Sequence, residues 1–236
     1  MPLMIYEHGR RDEKKIALTF DDGPNPPRTD QIMQILESRG ARGTFFVLGK
    51  WVERWPEAFM RIVNGGHTEA NHSHLHHAHV GDFDHAEAVL SNLTGRPTRH
   101  LRAHYFNYFT CLTSPLAMSD RIQVVDSDVN PADWDKTDPQ DIIDGVLGHP
   151  SLGPGSIIDL HDSSETEDDG LRLARPLPLV DAMPKIVDEL QAQGYELVGL
   201  DDMTLADPVV WQPDERGMYA SPEIQAEIHA LGSASD

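Results

Sequence analysis

Residues 15–20 (KIALTF) and residues 28–39 (RTDQIMQILESR) are the two adjacent patterns that decide the fold class. The first is a short apolar run typical of a buried strand. The second places apolar residues at helical spacing until Gly40 ends the helix. A strand followed directly by a helix is the unit from which parallel sheets are built, so this region predicts an α/β protein.

The same alternation continues along the chain. Further strands are predicted at residues 44–48, 67–71, 99–105, 122–125, 156–161 and 195–200, and further helices at residues 55–64, 83–93, 139–147 and 178–193. About seven such alternations predict a parallel sheet with right-handed crossovers. A distorted, incomplete (β/α) barrel of about seven parallel strands fits this count best. A doubly wound open sheet is the alternative.

Length and charge limit the classes of function. A chain of 236 residues without internal repeats is expected to form one main domain. Its net charge of -20 argues against a nucleic-acid partner. The single cysteine, Cys111, cannot form an internal disulfide, and we expect it to be a buried packing residue.

The hydropathy pattern bears on localisation. Residues 1–15 lack the apolar core of a signal peptide, and no apolar stretch approaches the length of a membrane-spanning helix. We therefore expect no membrane span. The protein is expected to be either cytoplasmic or secreted with its leader removed.

Five histidines lie within residues 72–79 (HSHLHHAH). If this stretch is helical, His72 and His76 stand one turn apart on one face, where both can bind one metal ion. A catalytic zinc site needs three protein ligands and an open position, so we expect a carboxylate from elsewhere in the chain as the third. A solvated polar turn is the alternative interpretation.

Polar residues follow most of the predicted strands. Active sites of barrel folds lie at this end of the strands, so these residues are expected to share one rim. They are Asp21, Asp22, the histidines of residues 72–79, Arg102, Tyr105, Asp133, Trp134, His161 and Asp162.

Residues 19–24 (TFDDGP) are the most specific string in the chain. A turn explains the glycine and proline, but it leaves two adjacent carboxylates at a strand end unexplained. Together with residues 72–76 (HSHLH), the string resembles the polysaccharide deacetylase family, the NodB-homology domain of carbohydrate esterase family 4. The first two motifs of that family are TFDDGP and H-[ST]-x-x-H. Further matches follow in the family's order: residues 102–105 (RAHY) for its Arg-containing third motif, Asp133-Trp134 for the end of D-x-x-D-W, and Leu160-His161-Asp162 for L-x-H.

The resemblance covers roughly residues 15–204 and suggests the domain boundaries. Residues 1–14 are expected to be an N-terminal extension, and residues 15–204 the polysaccharide deacetylase catalytic domain. Residues 205–236 are expected to form a C-terminal tail with one helix at residues 222–231.

The family implies a distorted (β/α) barrel and a divalent metal, usually zinc, held by Asp22, His72 and His76. Cobalt or another divalent ion is the alternative cofactor. Because successive side chains of a strand point to opposite sides, we expect one of the adjacent aspartates to bind the metal and the other to stand off. The resemblance assigns the ligand role to Asp22.

The resemblance also implies roles for the remaining motif residues. Asp21 would be the general base for the attacking water and His161 the general acid. The others are Arg102, which would orient Asp21; Asp133, which would pair with His161; Tyr105, whose backbone N–H would stabilise the oxyanion; and Trp134 and Leu160, which would line the sugar and acetyl pocket.

The sequence also departs from the family pattern. His104 and Phe106 replace the proline and glycine of the third motif R-x-P-Y-G, and Asn130 replaces the first acid of D-x-x-D-W. The other histidines of the cluster, His74, His77 and His79, offer competing ligands, with His79 the strongest rival to His76.

The predicted function is a metal-dependent hydrolase that removes acetyl groups from carbohydrate. The substrate would be N-acetylated, such as a chitin oligomer or peptidoglycan, or O-acetylated. The alternatives are a catalytically weak carbohydrate-binding domain and a metal-dependent hydrolase of small amides with the same fold.

Overall fold

A strand of nine residues, Lys15–Gly23, lies within the main sheet of the computed structural model, which describes residues 2–76, 81–163 and 178–211. All its residues after the first are buried, because it is flanked by other strands and both of its faces are covered. It continues beyond the predicted end at residue 20, so both Asp21 and Asp22 belong to it.

The sheet contains every strand predicted from the sequence and a short strand near each end of the described chain. The strands are β1 (Met4–Tyr6), β2 (Lys15–Gly23), β3 (Thr44–Val47), β4 (Thr68–Asn71), β5 (His100–Leu101), β6 (Gln123–Val125), β7 (Ile157–His161), β8 (Glu196–Val198) and β9 (Val209–Val210). Their order is β7-β2-β3-β4-β5-β6-β1-β9, with β8 also paired to β2. All these pairings are parallel except that of β9 with β1.

Helices connect most of the parallel strands, as the alternating pattern predicts. They are α1 (Arg28–Glu37), α2 (Gly49–Arg54), α3 (Pro56–Asn64), α4 (Asp82–Thr94), α5 (Phe109–Leu112), α6 (Pro139–Leu147) and α7 (Pro178–Ala192). The short helices α2 and α5 were not predicted. Among the described helices, none is long and apolar enough to cross a membrane. The helix predicted at residues 222–231 lies outside the described residues.

The two faces of the sheet carry different apolar clusters. Leu18 and Phe20 of β2 belong to a large outer cluster with residues of the helices. The alternate residue Ala17 belongs to an inner cluster with Phe46 and Ile157. Within the described chain, this inner cluster contains no residue of α1–α7, so the sheet covers its inner face with its own side chains. The fold is therefore a curled α/β sheet, and the doubly wound alternative is wrong.

The barrel is incomplete, because the strands at the two ends of this order, β7 and β9, are not paired with each other in the described structure. A single parallel bridge, from Val129 to Ile158, connects the loop after β6 to β7 in the described structure. This confirms the distorted, incomplete (β/α) barrel. The sheet also reaches beyond residues 15–204, because β1 pairs with β6 and β9 pairs with β1.

The single cysteine lies in a separate apolar cluster. Cys111 is a buried free thiol that packs among residues such as Leu101 and Val124. Burial raises the pKa of the Cys111 thiol to about 12, so it stays protonated at neutral pH.

Candidate active site

The interior of the barrel changes from apolar to polar toward the carboxyl ends of the strands. Along β2, Ala17 lies in the inner apolar cluster, whereas Thr19 and Asp21 both accept hydrogen bonds from Arg102. His161 ends the neighbouring strand β7 and is in register with Asp21. The structure therefore brings Asp21, Arg102 and His161 together at the end of the barrel where such folds carry their active sites.

Asp22 interrupts the regular alternation of β2. Its φ of 74° is left-handed, and the register between β2 and β3 shifts between Asp21 and Gly23. As a result both carboxylates reach the same cleft. His72 Nε2 lies 3.6 Å from Asp21 Oδ2 and 3.6 Å from Asp22 Oδ1. Our premise that consecutive side chains here point to opposite sides is wrong, because the bulge re-aims one of them.

The histidine motif is a tight loop and not a helix. Ser73 and His76 have left-handed φ values of 77° and 61°, which no regular helix contains. Asn71 Oδ1 accepts a hydrogen bond from Ser73 N, and Ser73 Oγ accepts one from His76 N. The predicted helical spacing of His72 and His76 is therefore wrong for the described residues, although both imidazoles still reach the same place.

Asp82, which the sequence analysis did not select, holds this loop from outside. Its carboxylate accepts hydrogen bonds from the backbone N–H groups of His74 and Leu75 at 3.2 Å. The residue lies in the first turn of α4 and is buried. The signal in the sequence was an acidic residue soon after a cluster of histidines. If the histidines lie in a loop, the backbone N–H groups of that loop need acceptors, and a nearby carboxylate can supply them.

Asp22, His72 and His76 form a buried group of potential metal ligands. Asp22 Oδ1 lies 3.3 Å from His76 Nε2, and one ligand atom from each residue lies within 4.8 Å of the others. His72 Nδ1 is 2.9 Å from the carbonyl oxygen of Arg102, so Nδ1 carries the proton and Nε2 presents its lone pair. Burial and the charge of His76 hold the pKa of His72 well below its usual range, which keeps the imidazole neutral.

This group fits a divalent metal ion chemically. Two imidazoles and one carboxylate are ligands that zinc accepts in catalytic sites with an open position. The remaining histidines of the motif differ in placement. The ring of His74 stacks on His85 with centroids 3.8 Å apart, and it is not part of the Asp22 group. His77 and His79 lie outside the described residues.

Arg102 is a fully buried guanidinium that fixes Asp21. Its Nη1 donates to Asp21 Oδ1 at 2.9 Å, and its Cζ lies 4.2 Å from the centroid of the Phe46 ring. Burial raises the pKa of Asp21, whereas the charge of Arg102 acts in the opposite direction. Asp21 is thus a carboxylate with raised proton affinity in a fixed orientation.

His161 is paired with Asp133. Asp133 accepts hydrogen bonds from His161 Nδ1 at 2.8 Å and from the His161 backbone N–H at 2.9 Å. Burial acts to lower the pKa of His161, but the charge of Asp133 and its hydrogen bond outweigh burial and raise that pKa well above its usual range. His161 therefore holds its proton more strongly than an exposed histidine does.

Two aromatic side chains stand at the open end of this cleft. Tyr105 is 69% exposed, and the edge of its ring contacts His76 at a centroid distance of 4.9 Å. Trp134 is 47% exposed and contacts His161 at 5.1 Å. Tyr105 lies in a 3₁₀ turn, His104–Phe106, with a φ of 52°, so the strand predicted at residues 99–105 is too long.

Leu160 is separated from the other predicted pocket residues. It has no exposed surface and packs in the outer cluster between the sheet and the helices. Side chains of β7 alternate, so Asp159 and His161 face the interior while Leu160 faces away. The first position of the pattern L-x-H lies two residues before the histidine, and in this chain Asp159 occupies it.

Asp159 is a buried residue of the site that the sequence analysis missed. Its ligand atoms lie within 4.8 Å of those of Asp21 and His161. Burial and the charge of Asp21 raise the pKa of Asp159 to about 7, against the opposing charges of His161 and Arg102. The group of Asp21, Asp159 and His161 differs from the group of Asp22, His72 and His76, because Arg102 already places a positive charge beside both of its carboxylates. A carboxylate on the inner face of a buried strand was the signal for it.

The fold and the position of the site are those of a (β/α)-barrel enzyme. A model of the family described as polysaccharide deacetylase matches residues 8–110. A chitooligosaccharide deacetylase of Sinorhizobium fredii is 35% identical over 156 residues, covering 62% of this chain and 71% of the relative. The chain belongs to the polysaccharide deacetylase family, carbohydrate esterase family 4.

Peptidoglycan deacetylases are also similar to this chain. Peptidoglycan-N-acetylmuramic acid deacetylase PdaC of Bacillus subtilis is 32% identical over 201 residues, which cover 81% of this chain. This chain spans only 39% of the length of that relative. The crystal structure of the Bc1960 peptidoglycan N-acetylglucosamine deacetylase superposes with a TM-score of 0.73 at 28% identity, covering 85% of this chain and 92% of that one.

The fold is also found without activity. BA3943 of Bacillus anthracis, a CE4 family pseudoenzyme, has a TM-score of 0.69 at 17% identity and covers 86% of this chain and 69% of that chain. Fold similarity alone therefore does not establish turnover. Family membership supports a hydrolase acting on acetylated carbohydrate, and the Asp-His-His group is a candidate site for the metal on which the family depends.

Proposed function

We propose that the protein is a divalent-metal-dependent deacetylase of carbohydrate, with zinc as the metal and N-acetylated oligosaccharide or peptidoglycan-type glycan as the first substrate to test. The observation that carries the proposal is one cluster of side chains. In it the group of Asp22, His72 and His76 lies beside Asp21, which Arg102 binds, and beside His161, which Asp133 binds. These groups supply the ligands, base and acid that hydrolysis of an acetamide requires.

Asp22, His72 and His76 would hold the ion. When bound there, a divalent ion would act as a Lewis acid that polarises the acetyl carbonyl. The buried loop that presents His72 and His76 fixes both imidazoles before binding, because its backbone is held by Asn71 and Asp82. A preformed ligand set keeps its geometry without further ordering of side chains.

Asp21 would be the general base. Its Oδ1 is held by Arg102, so Oδ2, which faces His72, is the atom placed to accept a proton from the attacking water. Burial raises the pKa of Asp21, which makes the carboxylate a stronger base than an exposed aspartate. Arg102 would keep the carboxylate ionised and oriented.

His161 would be the general acid. Because Asp133 accepts from Nδ1, the second nitrogen, Nε2, is left to donate a proton to the leaving amine or alcohol. The backbone N–H of Tyr105 would stabilise the oxyanion, and the exposed rings of Tyr105 and Trp134 would line the sugar pocket.

A silent carbohydrate-binding domain is the second candidate. The departures at His104 and Phe106 favour it, because the turn that presents Tyr105 has left-handed φ values of 52° at both Tyr105 and Phe106. Such a protein would bind glycan without releasing acetate.

Assays on N-acetylglucosamine oligomers, acetylxylan and simple amides, run side by side, test the proposal. We expect acetate release from the oligomers, its loss after chelation of divalent metals, and its return with zinc or cobalt. Undiminished activity in metal-free protein would overturn metal dependence. Glycan binding without acetate release would favour the silent domain, and turnover of simple amides alone would favour a small-amide hydrolase.

The pH dependence of turnover tests the role of His161. Asp133 raises the pKa of His161, so the acid form persists to higher pH than in an exposed histidine and is lost as pH rises through that pKa. Asp133→Asn removes the raising charge, and we expect the alkaline limb of the kcat profile to move to lower pH. Exposed Asp138, which caps α6, provides the control variant Asp138→Asn. An unmoved alkaline limb in Asp133→Asn would contradict the assignment of His161.

A further inference from the structure

The Arg102 guanidinium has more acceptors around one nitrogen than that nitrogen has hydrogens. Nη1 lies 2.7 Å from Thr19 Oγ1, 2.9 Å from Asp21 Oδ1 and 3.3 Å from Asp159 Oδ1. An Nη atom carries only a pair of hydrogens, so these three oxygens compete for them. A small rotation of the guanidinium would change how well Asp21 is held. Residues that restrain this rotation therefore control the orientation of Asp21.

Asp159 is restrained in turn by Asn130. Asn130 Nδ2 donates to Asp159 Oδ2 at 3.0 Å, and Asn130 Oδ1 accepts from the backbone N–H of Ala132 at 2.9 Å. Ala132 has a φ of 54° and directly precedes the turn Asp133–Asp135. A continuous chain of hydrogen bonds thus runs from Arg102 through Asp159 and Asn130 to the loop that carries Asp133.

We propose that Asp159 is a positioning residue that, with Asn130, ties the Arg102–Asp21 pair to the loop that holds Asp133 against His161. Its effect on turnover rests on the proposed deacetylase function, whereas its effect on the folded state does not. The bridge links the two halves of the site, since one end orients Asp21 and the other places Asp133.

The chemistry of the bridge explains why an amide and an acid occur at these two positions. An asparagine both donates and accepts, so Asn130 can bind Asp159 and Ala132 at once. A carboxylate at position 130 would face the Asp159 carboxylate in place of the amide and would repel it. The sequence departs from D-x-x-D-W at position 130 and from L-x-H at position 159, and these two departures meet in one hydrogen bond.

A double-mutant cycle tests the bridge. The variants are Asn130→Asp, Asp159→Asn and the double variant. The double variant reverses the direction of the hydrogen bond, because the donating amide then lies at position 159 and the accepting carboxylate at position 130. Asp188→Asn is the matched control, because Asp188 is also bound by an arginine, Arg39, but is exposed on α7. Each variant is measured for Tm, and for kcat and KM on an N-acetylglucosamine oligomer with zinc present.

Asn130→Asp is expected to lower the Tm by about 5 °C, because it places two carboxylates together in a buried site. It should also lower kcat about 10- to 100-fold with little change in KM, since it disturbs groups that act in the reaction and not the sugar contacts. Asp159→Asn should lower kcat about 10-fold, because it removes the charge beside Arg102 and leaves one acceptor oxygen for two donors, Arg102 Nη1 and Asn130 Nδ2. The double variant should have a Tm and a kcat no lower than those of Asp159→Asn, because the amide at position 159 can then donate to the carboxylate at position 130 while its oxygen accepts from Arg102.

The bridge is contradicted if Asn130→Asp costs as much Tm in the Asp159→Asn background as in the wild type, because the two positions would then act independently. A loss confined to KM would contradict the positioning role. If Asn130→Asp does not fold, the same cycle with Asn130→Ala measures the coupling without an added charge. If the wild type releases no acetate, the proposed function fails, while the Tm cycle still decides the bridge.

Discussion

Asp21→Asn is expected to lower acetate release by about 10² to 10⁴-fold, the usual cost of removing a general base. The amide cannot accept a proton, but its oxygen can still accept the Arg102 hydrogen bond that spans 2.9 Å in the wild type. The side chain should therefore keep its position and the metal site its ligands. The measurement is kcat on an N-acetylglucosamine oligomer with zinc in excess.

The control for this variant is Asp12→Asn. Asp12 is an exposed carboxylate bound by Arg10 at 2.9 Å, so the same substitution is made next to an arginine at an exposed position. Its kcat is expected to equal that of the wild type. If Asp21→Asn retains more than about a tenth of wild-type kcat, Asp21 is not the general base.

Asp22→Ala is expected to weaken zinc binding by at least about 100-fold and to abolish turnover with it. Zinc sites with several ligands contribute roughly 10–16 kcal/mol, so one ligand accounts for about 3 kcal/mol, or about two orders of magnitude in affinity. His72 and His76 remain in the variant, so residual weak binding is expected. Zinc affinity is measured by competition with a chromophoric chelator.

The control for the ligand variant is His74→Ala. His74 belongs to the same loop, but its ring stacks on His85 and its Nε2 lies 3.7 Å from Glu53. We expect His74→Ala to retain wild-type zinc affinity. A loss equal to that of Asp22→Ala would show that the ligand set lies elsewhere in the histidine cluster.

The arrangement of strands and helices was readable from the sequence because it depends on local apolar periodicity. The runs at residues 15–20 and 44–48 are buried by the same sheet in the structure, and the helix at Pro139–Leu147 has the predicted bounds. The candidate ligands, the pair of Asp21 with Arg102 and the pair of His161 with Asp133 were predicted from the order of the family motifs along the chain. Their meeting at one end of the barrel follows from parallel strands.

The details of the site depend on contacts between residues distant in sequence, which periodicity does not encode. The loop at Ser73 and His76 is held by Asn71 and by Asp82, so the predicted helical spacing of the histidines was wrong. Both predicted ligands, His72 and His76, nevertheless lie beside Asp22. The bulge at Asp22 depends on the register with β3. The strand predicted at residues 99–105 is too long for a similar reason, because the chain turns after His100–Leu101.

Asp159 was not predicted as a site residue, for a different reason. The match of residues 160–162 to L-x-H drew attention to Leu160, although side-chain alternation along β7 directs Leu160 outward and Asp159 inward. Counting alternation from His161 back along the strand would have exposed a carboxylate in the site. Its partners Arg102 and Asn130 come from other strands and loops, so their contacts were visible only in the structure.

The central claim is that Asp21 is the general base and Asp22 the metal ligand. The metal content of their variants tests it most directly. Purified Asp21→Asn and Asp22→Ala proteins, loaded with zinc and dialysed together, are compared by elemental analysis. We predict that Asp21→Asn retains zinc like the wild type but does not turn over, and that Asp22→Ala emerges empty. An empty Asp21→Asn and a fully loaded Asp22→Ala would reverse the roles and contradict the assignment of Asp21 as the base.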